Sequence, residues 1–304
     1  MKILSVFGTR PEAIKMSPLV KELQNLPLVD SRVCVTAQHR EMLDQVLQLF
    51  QIVPEYDLNL MKHGQTLQSL SQRIIENLSP ILEDFRPDIV LVHGDTTTTF
   101  MASLCSFYHQ IPVGHVEAGL RTGNMYSPWP EEGNRKLTGV IAKLHYAPTK
   151  NSEKNLLNEG VKKEDILVTG NTIIDSLLMI TKRIENDEVL TERMNKELPH
   201  FSEGKKMVLI TSHRRENFGK GMENICRGIV ELADLYPQVE FVFPVHLNPK
   251  VREPVQKLLS GKNNIQLIEP LEYLPFVFLM SKSYIVLTDS GGIQEEAPSL
   301  GKPV

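Results

Sequence analysis

The feature that most constrains this chain is the alternation of short apolar runs with longer amphipathic segments along its length. The runs have strand length, and the segments between them carry apolar residues at helical spacing, as Met16, Leu19, Val20 and Leu23 do. Such alternation is typical of α/β proteins, in which helices cover a parallel sheet. We therefore predict an α/β fold of parallel sheets flanked by helices. The expected strands lie near 2–7, 32–36, 88–92, 111–116, 144–147, 166–168, 207–211, 239–243, 265–268 and 284–288.

The pattern is interrupted after Gly170, which predicts two domains. A long helical segment at 172–197 and a polar link follow before the strands resume. A chain of 304 residues is long enough for two domains of ordinary size. We expect these domains to cover 1–170 and 171–304. The last four residues, GKPV, resemble a turn leading into another strand, so we expect the second domain to be incomplete at its C-terminal end.

Composition and charge argue against several classes of protein. A formal net charge of −4 and a pI near 6.2 disfavour general nucleic-acid binding. No apolar run approaches the roughly 18 residues that a membrane span needs. The N-terminus starts with a strand-like segment rather than a secretory signal, and three dispersed cysteines indicate no disulfide framework, so we expect a cytoplasmic protein. The nine histidines lack metal-ligand spacing, so we expect no metal site.

The segment TDSGGIQEE has the pattern of a phosphate-binding turn. An apolar strand runs into Ser290, Gly291 and Gly292, and a helical segment with Glu295 and Glu296 follows. Glycines let the backbone approach an anion, and the N–H groups and dipole of the following helix attract it. Ser290 could add a hydroxyl donor, and the carboxylates could accept hydrogen bonds from a ribose. The alternative is an ordinary strand-to-helix turn with a serine N-cap.

Two cations follow the first predicted strand. Arg10 and Lys15 lie at or just after the turn into the first helix, where both could face a diphosphate. The surrounding FGTRPEAIK is neither the GxGxxG dinucleotide fingerprint nor the GxxxxGK[ST] loop, so it predicts no nicotinamide or Walker-type site. Solvated basic residues beside a helix are the alternative.

Three carboxylates stand where the first domain would bind a ligand. Asp95 and Glu117 follow predicted strands, and Glu131 lies in a polar loop bounded by prolines. Ligands of open parallel sheets bind at the carboxyl ends of the strands. Clustered carboxylates raise one another's proton affinity, which suits acid–base chemistry on a sugar. Asp95 could instead cap a helix beginning at Thr96.

Two histidines follow strands of the second domain. His213 is followed by Arg214 and Arg215, and a histidine beside arginines suits an anionic leaving group. His246 ends the next strand within PVHLNP, and a structural role is its alternative.

Eight segments occur along the chain in a characteristic order. They are FGTRPEAIK, TAQHREML, HGDTTTT, GHVEAGLRTG, SPWPEEGNR, TSHRREN, PVHLNP and TDSGGIQEEAPSLGKPV. Together they closely resemble the non-hydrolysing UDP-N-acetylglucosamine 2-epimerases of bacteria. The resemblance spans the whole chain and implies two Rossmann-like domains in a glycosyltransferase-B-like arrangement, with a UDP-sugar in the cleft and a homodimeric assembly.

The family's reaction is what the resemblance implies for activity. It interconverts UDP-N-acetylglucosamine (UDP-GlcNAc) and UDP-N-acetylmannosamine (UDP-ManNAc) by eliminating UDP to give 2-acetamidoglucal and adding it back with C2 inverted. No external cofactor is implied. The product would supply ManNAc-type precursors for cell-surface polysaccharide.

The resemblance also assigns roles to residues. Asp95, Glu117 and Glu131 resemble the family's acid–base carboxylates, and His213 resembles the catalytic histidine near the departing diphosphate. Which carboxylate removes the C2 proton stays open. Substrate-binding positions are Arg10, Lys15, Arg135, Phe276, Ser290, Gly291, Gly292 and Glu296. Among these, Glu296 is expected to bind the ribose and Phe276 to lie near the uracil.

Some bacterial members bind a second UDP-GlcNAc as an activator. Gln38, Arg214 and His246 resemble parts of that allosteric pocket. Glu41 and Gly64 stand where strongly regulated members have a glutamine and an arginine, so the resemblance in this pocket is partial.

Three other functions are compatible with parts of this pattern. A glycosyltransferase of the same fold would use the same UDP-binding turn but needs an acceptor. A hydrolysing epimerase would release free ManNAc and UDP. A catalytically inactive nucleotide-sugar sensor would need no acid–base carboxylates, yet Asp95, Glu117 and Glu131 are all present.

Overall fold

The computed structural model describes residues 1–37, 40–60, 64–199 and 204–304. The chain divides into two compact units, Met1–Ser176 and Leu177–Val304, which we call unit 1 and unit 2. Each unit has its own sheet and its own hydrophobic core.

Unit 1 alternates strands and helices from its first residues. Its elements are β1 (Lys2–Phe7), α1 (Arg10–Gln24), β2 (Asp30–Val35), α2 (Arg40–Leu49), β3 (Tyr56–Asp57), α3 (Leu67–Phe85), β4 (Ile89–His93), α4 (Thr97–Tyr108), β5 (Val113–Val116), α5 (Glu131–Ile141), β6 (Leu144–Ala147), α6 (Lys150–Asn158) and β7 (Ile166–Val168). A 3-10 turn at Lys163–Asp165 precedes β7, and α7 (Thr172–Asn186) runs across the boundary into unit 2.

The sheet of unit 1 has seven strands in the described residues, in the order β3-β2-β1-β4-β5-β6-β7, and all its pairs are parallel. Its strand order reverses between β1 and β4. Apolar side chains of these two strands, such as Val6 and Val92, pack against Leu78, Leu82 and Phe85 of α3. The helices thus cover a buried sheet, and the polar residues that follow its strands gather at one edge.

Unit 2 repeats the pattern with fewer strands. Its elements are α8 (Glu188–Glu197), β8 (Lys206–Thr211), a 3-10 turn (Arg215–Asn217), α9 (Lys220–Leu235), β9 (Val239–Pro244), α10 (Pro249–Leu259), β10 (Ile265–Ile268), α11 (Tyr273–Lys282), β11 (Ile285–Thr288) and α12 (Gly291–Ser299). The strand order is β10-β9-β8-β11, again all parallel, and it reverses between β8 and β11. Val208, Phe241 and Phe243 pack with Met222 and Cys226 in its core.

The predicted α/β class and its parallel sheets flanked by helices are confirmed. One strand was missed, since β3 has only two residues and no apolar run. The helix expected over 172–197 is two helices. The side chain of Asp187 accepts a hydrogen bond from Leu190 N and so caps the N-terminus of the second helix. No helix in the described part of the chain combines the length and apolar character that crossing a membrane requires.

Candidate active site

The loops that follow β1, β4 and β5 form one group at the carboxyl edge of the unit 1 sheet. In an open parallel sheet, the reversal of strand order opens a crevice at this edge. Gly94 and Asp95 follow β4, and Glu117 follows β5. Glu117 has a φ of 62°, the left-handed region that non-glycine residues rarely occupy. Such a backbone is often found at functional sites.

Arg135 of α5 joins the two predicted carboxylates of this edge. Its guanidinium hydrogen bonds Asp95 Oδ2, lies 3.4 Å from Glu117 Oε1 and donates to the Glu117 carbonyl oxygen at 2.6 Å. Lys15 of α1 forms an ion pair with the other oxygen of Glu117. Asn134 donates to the Asp95 carbonyl oxygen at 2.9 Å. The structure therefore brings together four residues predicted from the sequence: Lys15, Asp95, Glu117 and Arg135.

The side chains around Glu117 decide its protonation. Burial alone would raise the pKa of its carboxyl group, but His93, Lys15 and Arg135 act in the opposite direction and lower that pKa to about 2. Glu117 is 9% exposed, so water does little to screen its partners. At neutral pH it is an anion held between two cations.

His93 was not selected from the sequence, although it ends β4 directly beside the site. It is 3% exposed, its Nε2 lies 3.7 Å from Glu117 Oε2, and neither ring nitrogen has a hydrogen-bond partner in the structure. Burial lowers its pKa to about 4, outweighing the opposite effect of Glu117, so the ring is neutral at pH 7. The HGD sequence with His at a strand end was the available signal.

Glu131 begins helix α5 rather than lying in a loop, which corrects the local structure expected for it. Helix α5 starts directly after Pro130, and Glu131 precedes Asn134 and Arg135 by about one helical turn, on the same face. Its Oε2 is buried and accepts no hydrogen bond in the structure. Glu131 therefore has a carboxylate oxygen available, in contrast to the fully paired Glu117.

Asp95 does not cap the helix after β4. Thr96 is the N-cap of α4, and its hydroxyl accepts from Thr99 N at 3.1 Å. The Asp95 carboxylate instead forms an ion pair with Arg135.

Glu12 is the structural residue of this edge that the sequence analysis missed. It is 2% exposed, and its Oε2 accepts hydrogen bonds from Gly8 N at 3.0 Å and Thr9 N at 2.7 Å. Its Oε1 accepts from the hydroxyls of Thr96 at 2.6 Å and Thr99 at 3.1 Å. Glu12 thus ties the loop after β1 to the start of α4. The capping box formed by Thr9 and Glu12 was a signal in the sequence.

In unit 2, the predicted histidines lie side by side. The rings of His213 and His246 stack with centroids 5.9 Å apart and planes 18° apart. His246 Nδ1 accepts a hydrogen bond from Asn248 N at 3.1 Å, which fixes the orientation of the ring. Arg214, proposed with His246 for an allosteric pocket, follows His213 and forms an ion pair with Glu216. Gln38, the third residue of that pocket, lies outside the described residues.

The Ser290-Gly291-Gly292 turn opens α12, as the sequence predicts. Ser290 is the N-cap residue, but its hydroxyl makes no capping hydrogen bond. The alternative of a simple serine cap therefore does not apply. A Cβ at Gly291 would lie 3.2 Å from Arg214 Nη2, so the guanidinium lies directly over the backbone at this point.

Glu296 lies one turn further along α12 and is 7% exposed. Tyr273 of α11 donates a hydrogen bond to its Oε1 at 3.1 Å, a contact that the sequence did not suggest. Phe276 is half-buried on the same helix α11. Among the described residues, no group of His, Cys, Asp and Glu side chains has the arrangement of a metal site.

Comparison with known proteins gives one consistent result. A family model described as UDP-N-acetylglucosamine 2-epimerase matches residues 21–304. A curated UDP-N-acetylglucosamine 2-epimerase of Yersinia pestis is 60% identical over 304 residues, which are 100% of this chain and 81% of that protein.

Solved structures agree at the level of the fold and the sequence. The UDP-GlcNAc 2-epimerase of Neisseria meningitidis, solved bound to UDP-GlcNAc, matches with a TM-score of 0.91 and 59% identity, covering 100% of this chain and 82% of that chain. The UDP-GlcNAc 2-epimerase of Methanocaldococcus jannaschii, solved in complex with UDP-GlcNAc and UDP, matches with a TM-score of 0.80 and 34% identity, covering 100% of this chain and 83% of that one.

Proposed function

The chain belongs to the UDP-N-acetylglucosamine 2-epimerase family, and we propose that it interconverts UDP-GlcNAc and UDP-ManNAc by inverting C2 of the sugar. Its relatives of known structure bind UDP-GlcNAc or UDP, and the same ligands are proposed here. The reaction is an isomerisation, and we propose that it proceeds without an external cofactor.

The proposed chemistry is an elimination followed by an addition. A carboxylate accepts the proton of C2, and the C–H electron pair forms the C1–C2 double bond of 2-acetamidoglucal. UDP leaves with the electron pair of the C1–O bond. In the return step a phosphate oxygen of UDP bonds C1, and C2 takes a proton on its opposite face. The step requires one group that accepts a proton and another that donates one.

The observation that carries this proposal is the contrast among the three carboxylates of unit 1. Glu117 and Asp95 are held by Arg135, and Lys15 further neutralises Glu117. Glu131 instead has a buried oxygen without a partner. One carboxylate is thus neutralised by two cations, while another keeps an oxygen that can contact the substrate, so the three groups need not share one role. We propose Asp95, Glu117 and Glu131 as the acid–base residues, without assigning the C2 base among them.

The proposed nucleotide-binding residues fall into two groups. In unit 2, the turn at Ser290, Gly291 and Gly292 would accept the diphosphate at the N-terminus of α12, and His213 would face the departing phosphate. Glu296 would bind the ribose and Phe276 would lie near the uracil. In unit 1, the cationic groups proposed for substrate binding are Arg10, Lys15 and Arg135.

Incubation of the chain with UDP-GlcNAc alone in deuterated water tests the proposal. We expect proton NMR to detect UDP-ManNAc, with deuterium at C2 because the abstracted proton exchanges before addition. A transferase would leave the sugar nucleotide unchanged without an acceptor, and a hydrolysing epimerase would accumulate free ManNAc and UDP. Complete retention of the C2 hydrogen, with no detectable glucal, would exclude the elimination route.

We also propose a homodimer, as the family resemblance implies. Phe107 and Tyr108 at the end of α4, with Leu137 and Val140 of α5, are exposed apolar side chains that an interface could cover. Light scattering after size-exclusion chromatography should give twice the chain mass, and a monomer across the micromolar range would contradict the proposal. Val140→Asp should weaken a dimer that uses this face.

A further inference from the structure

The reversal of strand order in unit 2 brings two functional loops together. Thr211 of β8 and Thr288 of β11 are paired in register, and their hydroxyls lie 2.6 Å apart. The residues that follow them, Ser212-His213 on one loop and Asp289-Ser290 on the other, therefore begin at the same level of the sheet edge. One loop carries the proposed histidine and the other the proposed phosphate-binding turn.

The Asp289 side chain connects these loops through several hydrogen bonds. Its Oδ2 accepts from Ser212 Oγ at 2.8 Å, Arg214 N at 3.1 Å and Asn217 Nδ2 at 2.8 Å, and its Oδ1 accepts from His213 N at 3.1 Å. The His213 N–H also lies 3.2 Å from Oδ2, and the imidazole Nδ1 lies 3.7 Å from Oδ1. The Asp289 side chain is 13% exposed.

A carboxylate at this position needs an explanation, because it would repel the phosphates that the neighbouring turn is proposed to bind. Its hydrogen bonds provide one. Each donor belongs to the loop that carries His213, and two of them are the backbone amides of His213 and Arg214. Burial alone would raise the pKa of Asp289, but the bonds from Asn217, Arg214, Ser212 and His213 lower it, so the group stays ionised and able to accept them.

Apart from the Asp289 contacts, Arg214 forms an ion pair with Glu216 and His213 stacks on His246, and both side chains stay half-exposed. His213 and Arg214 are 48% and 47% exposed. Their positions beside the turn depend on where the backbone amides are fixed, because Arg214 must lie over Gly291 and the His213 ring must stack on His246. The clamp by Asp289 supplies that fixed backbone.

We propose that Asp289 is a positioning residue for epimerisation, which holds the backbone of His213 and Arg214 so that the imidazole faces the departing diphosphate at the Ser290-Gly291-Gly292 turn. The inference rests on the proposed function, because it assumes that His213 acts on that diphosphate. This role requires no contact between Asp289 and the sugar or the phosphates.

A double-mutant cycle between Asp289→Asn and His213→Ala tests this role through the kcat of epimerisation. Asparagine has the same size but turns one acceptor oxygen into a donor that faces N–H groups. We expect Asp289→Asn to lower kcat at least about tenfold in the parental chain and less than about twofold in the His213→Ala background. Ser212→Ala is the matched control, because it removes one donor and leaves both backbone amides bound; its kcat should stay within about threefold of the parental value.

Different results separate the two proposals. If the parental chain epimerises and the two substitutions multiply in full, Asp289 acts on the fold and not through His213, and the inference is wrong. Near-parental kcat in Asp289→Asn would also overturn it. If that variant unfolds, Asp289→Glu, which keeps the charge and moves it by one methylene, enters the same cycle with the same expectation. A parental chain that forms no UDP-ManNAc would contradict the proposed function itself.

Discussion

The reversal of strand order between β1 and β4 in unit 1 and that between β8 and β11 in unit 2 share a plan but differ in their surroundings. In each, one carboxylate ties the loop after one strand to residues that follow the other strand: Glu12 in unit 1 and Asp289 in unit 2. Around Glu12 two of the candidate acid–base groups, Asp95 and Glu117, are ion-paired, and Glu117 is buried. Around Asp289 the candidate side chains are half-exposed and fixed mainly through their backbone.

This difference predicts different costs for substitution. In unit 1, carboxylates and cations are ion-paired with one another. Removing one carboxylate therefore leaves a buried cation without its counter-charge, which lowers the stability of the fold as well as the rate of the reaction. In unit 2, exposed side chains make few contacts, so their removal should change turnover or affinity with little change in folding. The predictions that follow separate these two cases.

Glu117→Gln should have the largest effect. We expect kcat to fall by about 10²–10⁴, the range for loss of an acid or base, and the melting temperature to fall because Lys15 and Arg135 lose an anion. His213→Ala is the matched variant in unit 2. It should also lower kcat strongly, yet its melting temperature should stay within a few degrees of the parental value. Equal melting temperatures for the two variants would contradict the proposal that substitutions at the unit 1 sheet edge cost more stability than those at the unit 2 sheet edge.

Acid should unfold unit 1 before unit 2. Three histidines of unit 1 are buried, and burial lowers the pKa of His93 to about 4, that of His115 to about 3 and that of His145 by a smaller amount, all below the ordinary value of 6.5. Between pH 6.5 and each lowered pKa, the unfolded chain binds a proton on the histidine, and the folded unit does not. The free energy of unfolding therefore falls as pH falls below about 6.5, by up to about 1.4 kcal/mol per pH unit for each histidine.

Pulsed hydrogen exchange after equilibration at each pH measures this order. Peptides from β4 and β5 should lose protection between about pH 6 and pH 4, while peptides from β8 and β9 keep theirs. Below pH 4.5 Glu117 adds to the loss, because the unfolded chain protonates this carboxylate while the folded unit keeps it ionised down to about pH 2. His93→Gln should shift the loss of protection to lower pH. Simultaneous loss in both units would contradict the assignment to the buried histidines.

Glu12→Ala should be next in size. The amides of Gly8 and Thr9 would lose their acceptor, at about 1–3 kcal/mol for each buried group left unpaired. Glu12→Gln is the matched variant, since its amide oxygen can still accept from both amides. We expect denaturant unfolding to rank the alanine variant well below the glutamine variant. Equal stability would mean that Glu12 does not hold this loop.

Much of the fold could be predicted because local patterns determine it. Apolar runs marked β1, β6, β7 and β10 at their observed bounds. The break at Asp187 could not be predicted from periodicity, because apolar spacing continues through it. Residue types likewise pointed to the carboxylates and the glycine turn.

The pairing within the sites could not be predicted, because it joins residues far apart in the chain. Arg135 meets Asp95 across 40 positions, and Glu12 meets Thr96 across 84. The hydrogen bonds of Asp289 could not be predicted for the same reason, because a single sequence does not reveal that β11 pairs with β8. Strand order, rather than the local motif, decides which loops share a carboxylate.

Glu296→Ala should have the smallest effect on turnover, although its side chain is buried and is an exception to the half-exposed candidate side chains of unit 2. If Glu296 accepts hydrogen bonds from the ribose, its loss should weaken UDP binding by about 1–3 kcal/mol with little change in kcat. Tyr273→Phe is the matched control, because it removes the hydroxyl that donates to Glu296 Oε1 and leaves the carboxylate in place. Calorimetric titration with UDP and with 2′,3′-dideoxy-UDP provides the measurement. The variant should lose affinity for UDP alone, since the dideoxy analogue lacks the hydroxyls that Glu296 would bind; equal losses for both ligands would assign Glu296 to the packing of α11 against α12 instead of to the ribose.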